Sequence, residues 1–275
     1  MSRKSVISHS EADQYLSCER KHFYAFGQPV ETDEGTVLGL QPKHYSDGLF
    51  RGTVGHDALE QYYQYLAPIS LERIPNAEDF AVARQLGFAV IPKAISENPE
   101  RMELLLALNV VLAAYFKKWE DDDAQWQYLA VEIEFRDVVD DEIDFPYKPD
   151  LIRRHRKTGT VQVVDHKFLA NLYTPNEIAI QPQLAKYVGH LRKQGYKVDD
   201  GMYNMINHRV FKTKPYDADI SCKRITLNLT PTRVERSMME QTSVVRSIAK
   251  YKAMSPTEWE HNVRRTANSF NCKNC

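Results

Sequence analysis

With 275 residues, 43% of them hydrophobic, the chain is long enough for one large core or two small ones. A formal net charge of -1 points to no acidic partner by composition alone. The N-terminal MSRKSVISHSEAD lacks the apolar stretch of a signal peptide, and the longest apolar run, residues 104–116, contains Asn109 and is too short to span a bilayer, so a soluble protein with no membrane partner is expected. In chain order, Ser10 is a candidate N-cap with Asp13 three residues on, opening a helix through Tyr15, Leu16 and Cys18 toward Phe23. Residues 27–48, rich in Gly, Pro and charge, read as loop. Helices are expected over 52–66, 78–96 and 100–119. After Asp123 the pattern changes: AVEIEFRDVV alternates, with Val131, Ile133 and Phe135 on one face of a predicted strand. KPDLIRRHR, the turn KTGT and VQVVDHKF form a hairpin signature. Residues 182–193 return to helix, 201–211 and 221–229 read as strands, and 232–254 as a long helix before a short tail.

Helices, then a sheet with an embedded helix, then a helix predict one α/β domain over 1–275. Its parts are a helical N-terminal elaboration (1–125), a sheet core (126–230), and a C-terminal helix with a cysteine tail (231–275). Basic clusters at 20–22, 153–157, 192–193 and 208–214, and acidic ones at 120–123 and 137–144, each read singly as solvated face. Together they are also compatible with a basic groove beside an acidic metal site.

The hairpin carries the chemistry. A two-residue turn at Thr158–Gly159 places Asp150 opposite Lys167 and Ile152 opposite Asp165, so Asp150, Asp165 and Lys167 converge on one face. Buried charge at a strand end is costly without compensation. Two carboxylates can hold a hard divalent cation, and a lysine beside them can orient or deprotonate a water or neutralise phosphate charge. The plain alternative is a salt-bridged trio.

Pro149-Asp150 followed by Asp165-His166-Lys167 resembles the signature of the PD-(D/E)XK nucleases. The resemblance implies a restriction-endonuclease-like core, a central mixed β-sheet flanked by helices. It further implies Mg²⁺ or Mn²⁺ on Asp150, Asp165 and the backbone carbonyl of His166, with Lys167 positioning the attacking water. Three more segments resemble the RecB-like branch. In Gly52-x3-His56-x3-Glu60 the residues share a helix face; there Gly52 would allow close approach and His56 would be a metal ligand. Glu132 matches the acid on the strand before the hairpin, although Glu134 lies on the same predicted face. Gln183-x3-Tyr187 resembles a motif that supports the site and contacts DNA. Ordinary core packing remains the alternative for His56 and Tyr187.

Cys18, in YLSCERKHFYAF, and the Cys-x2-Cys of Cys272 and Cys275 resemble the ligands of the iron–sulfur members, the AddB nuclease domain and the CRISPR-associated exonucleases. The resemblance implies a [4Fe-4S] cluster, with structural Zn as the alternative. Its last cysteine would follow several residues after Cys275, where this sequence stops; Cys222 remains, but its setting, ISCKRITLN, reads better as a core or edge strand.

The expectation is therefore a metal-dependent DNA exonuclease of recombination, repair or CRISPR adaptation, cytoplasmic in a bacterial cell or phage-infected host. Its DNA would be single strands or duplex ends, and a helicase, recombinase or integrase its partner. Basic side chains of 153–157, 192–193 and 208–214 would track the DNA backbone, and aromatic residues near Cys18 and Tyr187 would stack on bases. The alternative is a catalytically silent DNA-binding or cluster-binding subunit of a larger complex.

Overall fold

The computed structural model describes residues 5–32, 35–40, 46–139, 143–211 and 213–263. The chain opens with β1 (Ser5–Val6), α1 (His9–Ser17), α2 (Glu19–Phe26), β2 (Pro29–Thr32) and β3 (Gly35–Leu38). Three long helices follow, α3 (Asp47–Glu72), α4 (Ala77–Glu97) and α5 (Met102–Asp123), and then β4 (Trp126–Val131), β5 (Phe135–Val139), β6 (Ile143–Tyr147), β7 (Leu151–His155) and β8 (Val161–Leu169). The rest is α6 (Pro175–Ile180), α7 (Gln183–Lys193), β9 (Asp200–Asn207), α8 (Ala218–Ser221), β10 (Cys222–Leu227), α9 (Pro231–Lys252) and α10 (Pro256–Asn262). These elements fall into two compact units, one over 1–44, 134–147 and 235–275, the other over 45–133 and 148–234.

The larger unit holds a five-stranded mixed sheet of order β10-β9-β8-β7-β4, in which β8 and β9 are parallel and the other pairs antiparallel. Side chains of a strand alternate between faces. Val164 of β8, with Tyr128, Leu151, Met202 and Ile206, joins the core under α3, α4 and α5, where Tyr62, Leu66, Leu108, Leu112 and Phe116 are buried. The opposite face meets α7: a Cβ on Gly201 would lie 3.0 Å from Leu184 Cβ. The smaller unit holds the sheet β1-β6-β5, the β2–β3 ribbon, and a cluster of Phe23, Trp259 and Val263. At its centre Glu11 is buried, bonded by His22 Nε2 at 3.1 Å and by Lys252 Nζ at 2.9 Å. Among the described residues no helix is long and apolar enough to cross a membrane.

Several local expectations are corrected. Ser8, not Ser10, caps α1: its backbone is extended and its side chain accepts from the Glu11 amide. The first helix breaks at Cys18, whose backbone is extended (φ -169°, ψ 116°). Residues 29–32 and 35–38 pair as a β-ribbon rather than loop, Pro29 with Leu38 through Thr32 with Gly35. The strand expected through AVEIEFRDVV ends at Val131, and β5 belongs to a different sheet; Ile133 is 49% exposed instead of sharing a buried face. The hairpin register is also shifted by two residues, with Ile152 opposite Val163 rather than Asp165. Its loop is residues 156–159, because the His155 amide donates to Thr160 O and Gly159, at φ 74°, donates back to His155 O.

Candidate active site

Four elements of the larger unit converge on one cluster. His56 lies on α3, where the chain can approach β8 closely because Gly55 has no Cβ: a methyl there would sit 2.4 Å from the Phe168 ring. This corrects the role expected of Gly52, which has nothing within 4 Å of its Cβ position. Glu132 follows β4 with φ 50°, a conformation that side-chain-bearing residues seldom adopt. Its amide donates to Asp150 O at 3.0 Å, which holds the bend in place. Asp150 precedes β7, and continuing the β7–β8 register sets it across from Asp165. Its Oδ2 accepts a 2.6 Å bond from the His166 amide.

The result is a set of three ligand atoms, one each from His56, Glu132 and Asp150, all within 4.8 Å of one another. His56 Nδ1 lies 3.6 Å from Asp150 Oδ2 and 3.9 Å from Glu132 Oε1. Glu132 and Asp150 expose only 8% and 12% of their side chains. Asp165, on β8, is 2% exposed and its Oδ2 meets Lys167 Nζ at 2.7 Å. Lys167 also donates to Gln183 Oε1 at 2.7 Å, and Gln183 Nε2 donates to Tyr187 OH at 3.0 Å. Helical spacing on α7 stacks these last two residues behind the lysine. Glu60, one turn beyond His56, accepts from Gln64 and stands outside the three-ligand group. Glu134 lies in the smaller unit, exposed and bonded to Arg136.

The electrostatics match the geometry. Burial, reinforced by the Asp165 and Glu132 carboxylates, pushes Asp150 up to about 7 against the pull of His56. Burial alone would depress His56, but the carboxylates of Asp150, Glu132 and Asp165 outweigh it and hold the imidazole above its ordinary value. Lys167 behaves alike: burial disfavours its ammonium, and Asp165 more than restores it. Held between Asp165 and Gln183, the Lys167 ammonium can orient a water or face a phosphate. His166 turns the other way, 3% exposed. Its ring stacks on Tyr63 and its Nδ1 lies 2.7 Å from Asn204 Nδ2. Burial drives it well below the ordinary histidine range, so its side chain is neutral.

Buried carboxylates that crowd one another favour a cation between them, and a mixed set of oxygen and imidazole donors suits Mn²⁺ at least as well as Mg²⁺. The residues present thus fit a divalent cation.

Other expectations fare differently. Arg153 is 3% exposed, lies 3.7 Å over the Trp126 ring and bonds Gln162, so it cannot track DNA. Arg156 and Arg192 are bonded to backbone carbonyls, of Ser70, Arg73 and Ala124 and of Val198 and Asp199. Tyr187 is 5% exposed and unavailable for base stacking. Cys18 is buried beside the α1–α2 break, whereas Cys272 and Cys275 lie outside the described residues. Cys222 belongs to the core of the larger unit, its thiol pushed up by burial. Sequence reasoning missed Lys148, whose Nζ lies 2.6 Å from Glu132 Oε2; its position directly before Pro149-Asp150 was the available signal.

No curated protein matches the chain. A family model described as the PD-(D/E)XK nuclease superfamily matches residues 6–275. The five-stranded mixed sheet flanked by helices is the restriction-endonuclease-like core of that family. Matched over nearly its whole length, the chain belongs to the PD-(D/E)XK nuclease superfamily.

Proposed function

We propose that the protein is a Mg²⁺- or Mn²⁺-dependent deoxyribonuclease, an exonuclease acting on single strands or duplex ends. The observation that carries this is the donor set of His56, Glu132 and Asp150 beside the Asp165–Lys167 ion pair. His56, Glu132 and Asp150 would hold the cation, and Asp165 and the His166 carbonyl on the adjoining strand would complete the set. Bound there, it supplies Lewis-acid polarisation of the phosphate and a more acidic water. Lys167, clamped between Asp165 and Gln183, aligns that water and faces the charge developing on the phosphate. Asp165 keeps the lysine protonated, and Gln183, backed by Tyr187, fixes where its ammonium points.

Exonuclease action, and a place in recombination, repair or CRISPR adaptation beside a helicase, recombinase or integrase, rest on the resemblance of the His56 helix and the Gln183–Tyr187 pair to the RecB-like branch. The resemblance of the Cys18 segment and of the Cys272–Cys275 pair to the iron–sulfur members supports a [4Fe-4S] cluster drawing on these three cysteines. Iron and sulfide assays of anaerobically purified protein test it; bound zinc without iron would favour a structural zinc instead.

The deciding experiment incubates wild type and Lys167→Ala with end-labelled single-stranded and duplex DNA in Mg²⁺, Mn²⁺ or EDTA. Metal-dependent release of labelled nucleotides by wild type alone is expected. A wild type that cuts neither substrate overturns the enzyme reading and leaves a silent binding subunit.

A further inference from the structure

Lys148 lies outside the family signature but touches the site. Its ammonium is 2.6 Å from Glu132 Oε2, and the two side chains differ sharply in exposure, 51% for the lysine and 8% for the glutamate. Glu132 is thus engaged from two sides, by His56 near Oε1 and by Lys148 at Oε2. Only Pro149 separates Lys148 from Asp150. The fixed φ of that ring stiffens the segment carrying both residues to the site. A divalent cation held by His56, Glu132 and Asp150 would compete with this ammonium for the Glu132 carboxylate. The lysine is suited to yield, because its stem already reaches solvent and its head can be rehydrated on leaving. Set free at the rim, a lysine has one obvious anionic partner in a nuclease, the phosphate backbone of the substrate.

Resting on the nuclease reading, we propose that Lys148 is a substrate-positioning residue that exchanges partners. It neutralises Glu132 until the cation binds, and its released ammonium then holds a phosphate oxygen of the nucleic acid. Two consequences of opposite sign follow. Without the ammonium the cation loses a competitor and binds more tightly; the substrate loses a phosphate contact and binds more weakly. A lysine that merely braced Glu132 would give a different pattern, with the cation bound less tightly once the brace was gone.

The test is calorimetric titration of Mn²⁺ into wild type, Lys148→Met and Lys148→Arg, together with KM and kcat on a single-stranded DNA oligonucleotide at saturating Mn²⁺. For Lys148→Met, Mn²⁺ affinity should rise about 3- to 10-fold and KM about 5- to 10-fold, while kcat stays within about threefold. Lys148→Arg keeps the charge and should return both constants to within about threefold of wild type. Equal or weaker Mn²⁺ binding by Lys148→Met, an unchanged KM, or an arginine variant as altered as the methionine one overturns the proposal. A wild type that binds no Mn²⁺ overturns the metal site itself, and with it the proposed function, before Lys148 is at issue.

Discussion

The His166 amide donates to Asp150 Oδ2 at 2.6 Å, tying the first acid of the signature to the backbone between Asp165 and Lys167. The bond holds Asp150 where burial and two neighbouring carboxylates make its charge unwelcome. Such strain is characteristic of a site kept for function at a cost in stability. Asp150→Asn keeps the shape and an acceptor for the amide while removing the charge. Nuclease activity should fall on the order of 10³-fold, about 4 kcal/mol of transition-state stabilisation. In EDTA the same variant should melt at or above the wild-type temperature. A drop of several degrees would mean that Asp150 serves mainly to hold the fold.

The same hairpin shows what was legible in the sequence and what was not. Its register is two residues away from the expected one, yet the expected residues still meet, because an even shift leaves every side chain on its face. Turn length was the hidden quantity: residues 157–160, KTGT, fit a two-residue turn as well as the observed loop closed by Gly159. The break after β4 was hidden for a different reason. The alternation in AVEIEFRDVV runs straight across it, and the bend falls on Glu132, where no glycine marks it. Lys148 reads from sequence as an ordinary surface lysine, because its carboxylate partner Glu132 is sixteen residues away and meets it only in the fold.

Gly52 and Gly55 separate sequence spacing from packing. Gly55 faces the Phe168 ring, and Gly52 faces open space. Gly52→Ala should therefore gain helix propensity, up to about 1 kcal/mol, and leave activity unchanged. Gly55→Ala forces Phe168 or α3 to shift, at about 1–3 kcal/mol. Because His56 is the next residue, metal affinity should weaken too. Urea denaturation of both variants gives the order; Gly55→Ala proving the more stable of the two would show that the contact with Phe168 is slack.

His208, whose amide donates to Leu169 O, supplies a pH dependence from outside the donor group. It is 4% exposed, and burial together with the Arg51 and Arg209 charges holds it at about 4, below its ordinary 6.5. As pH falls below 6.5 the unfolded chain takes up a proton before the folded one does. The stability this residue contributes above 6.5 is therefore lost between 6.5 and about 4. A shift of this size in one group is worth on the order of 3 kcal/mol across that interval. His208→Asn should flatten the decline of melting temperature over that interval; parallel wild-type and variant curves would remove His208 as its cause.

Lys167 is placed by two partners with different jobs. Asp165 supplies charge, and Gln183 supplies direction through a 2.7 Å bond that Tyr187 braces from the next turn of α7. Three variants should therefore fall in a graded order. Lys167→Ala removes the ammonium and should abolish measurable cleavage. Gln183→Leu keeps the ion pair but frees the head to wander, and should lower kcat about 10- to 100-fold. Tyr187→Phe removes only the hydroxyl that Gln183 donates to, and should cost less than about tenfold. None of the three contributes to the His56–Glu132–Asp150 donor group, so calorimetric Mn²⁺ affinity should change little in the last two. If Gln183→Leu instead lost Mn²⁺ binding along with activity, the glutamine would be supporting the donor group, and its role as the guide of Lys167 would be wrong.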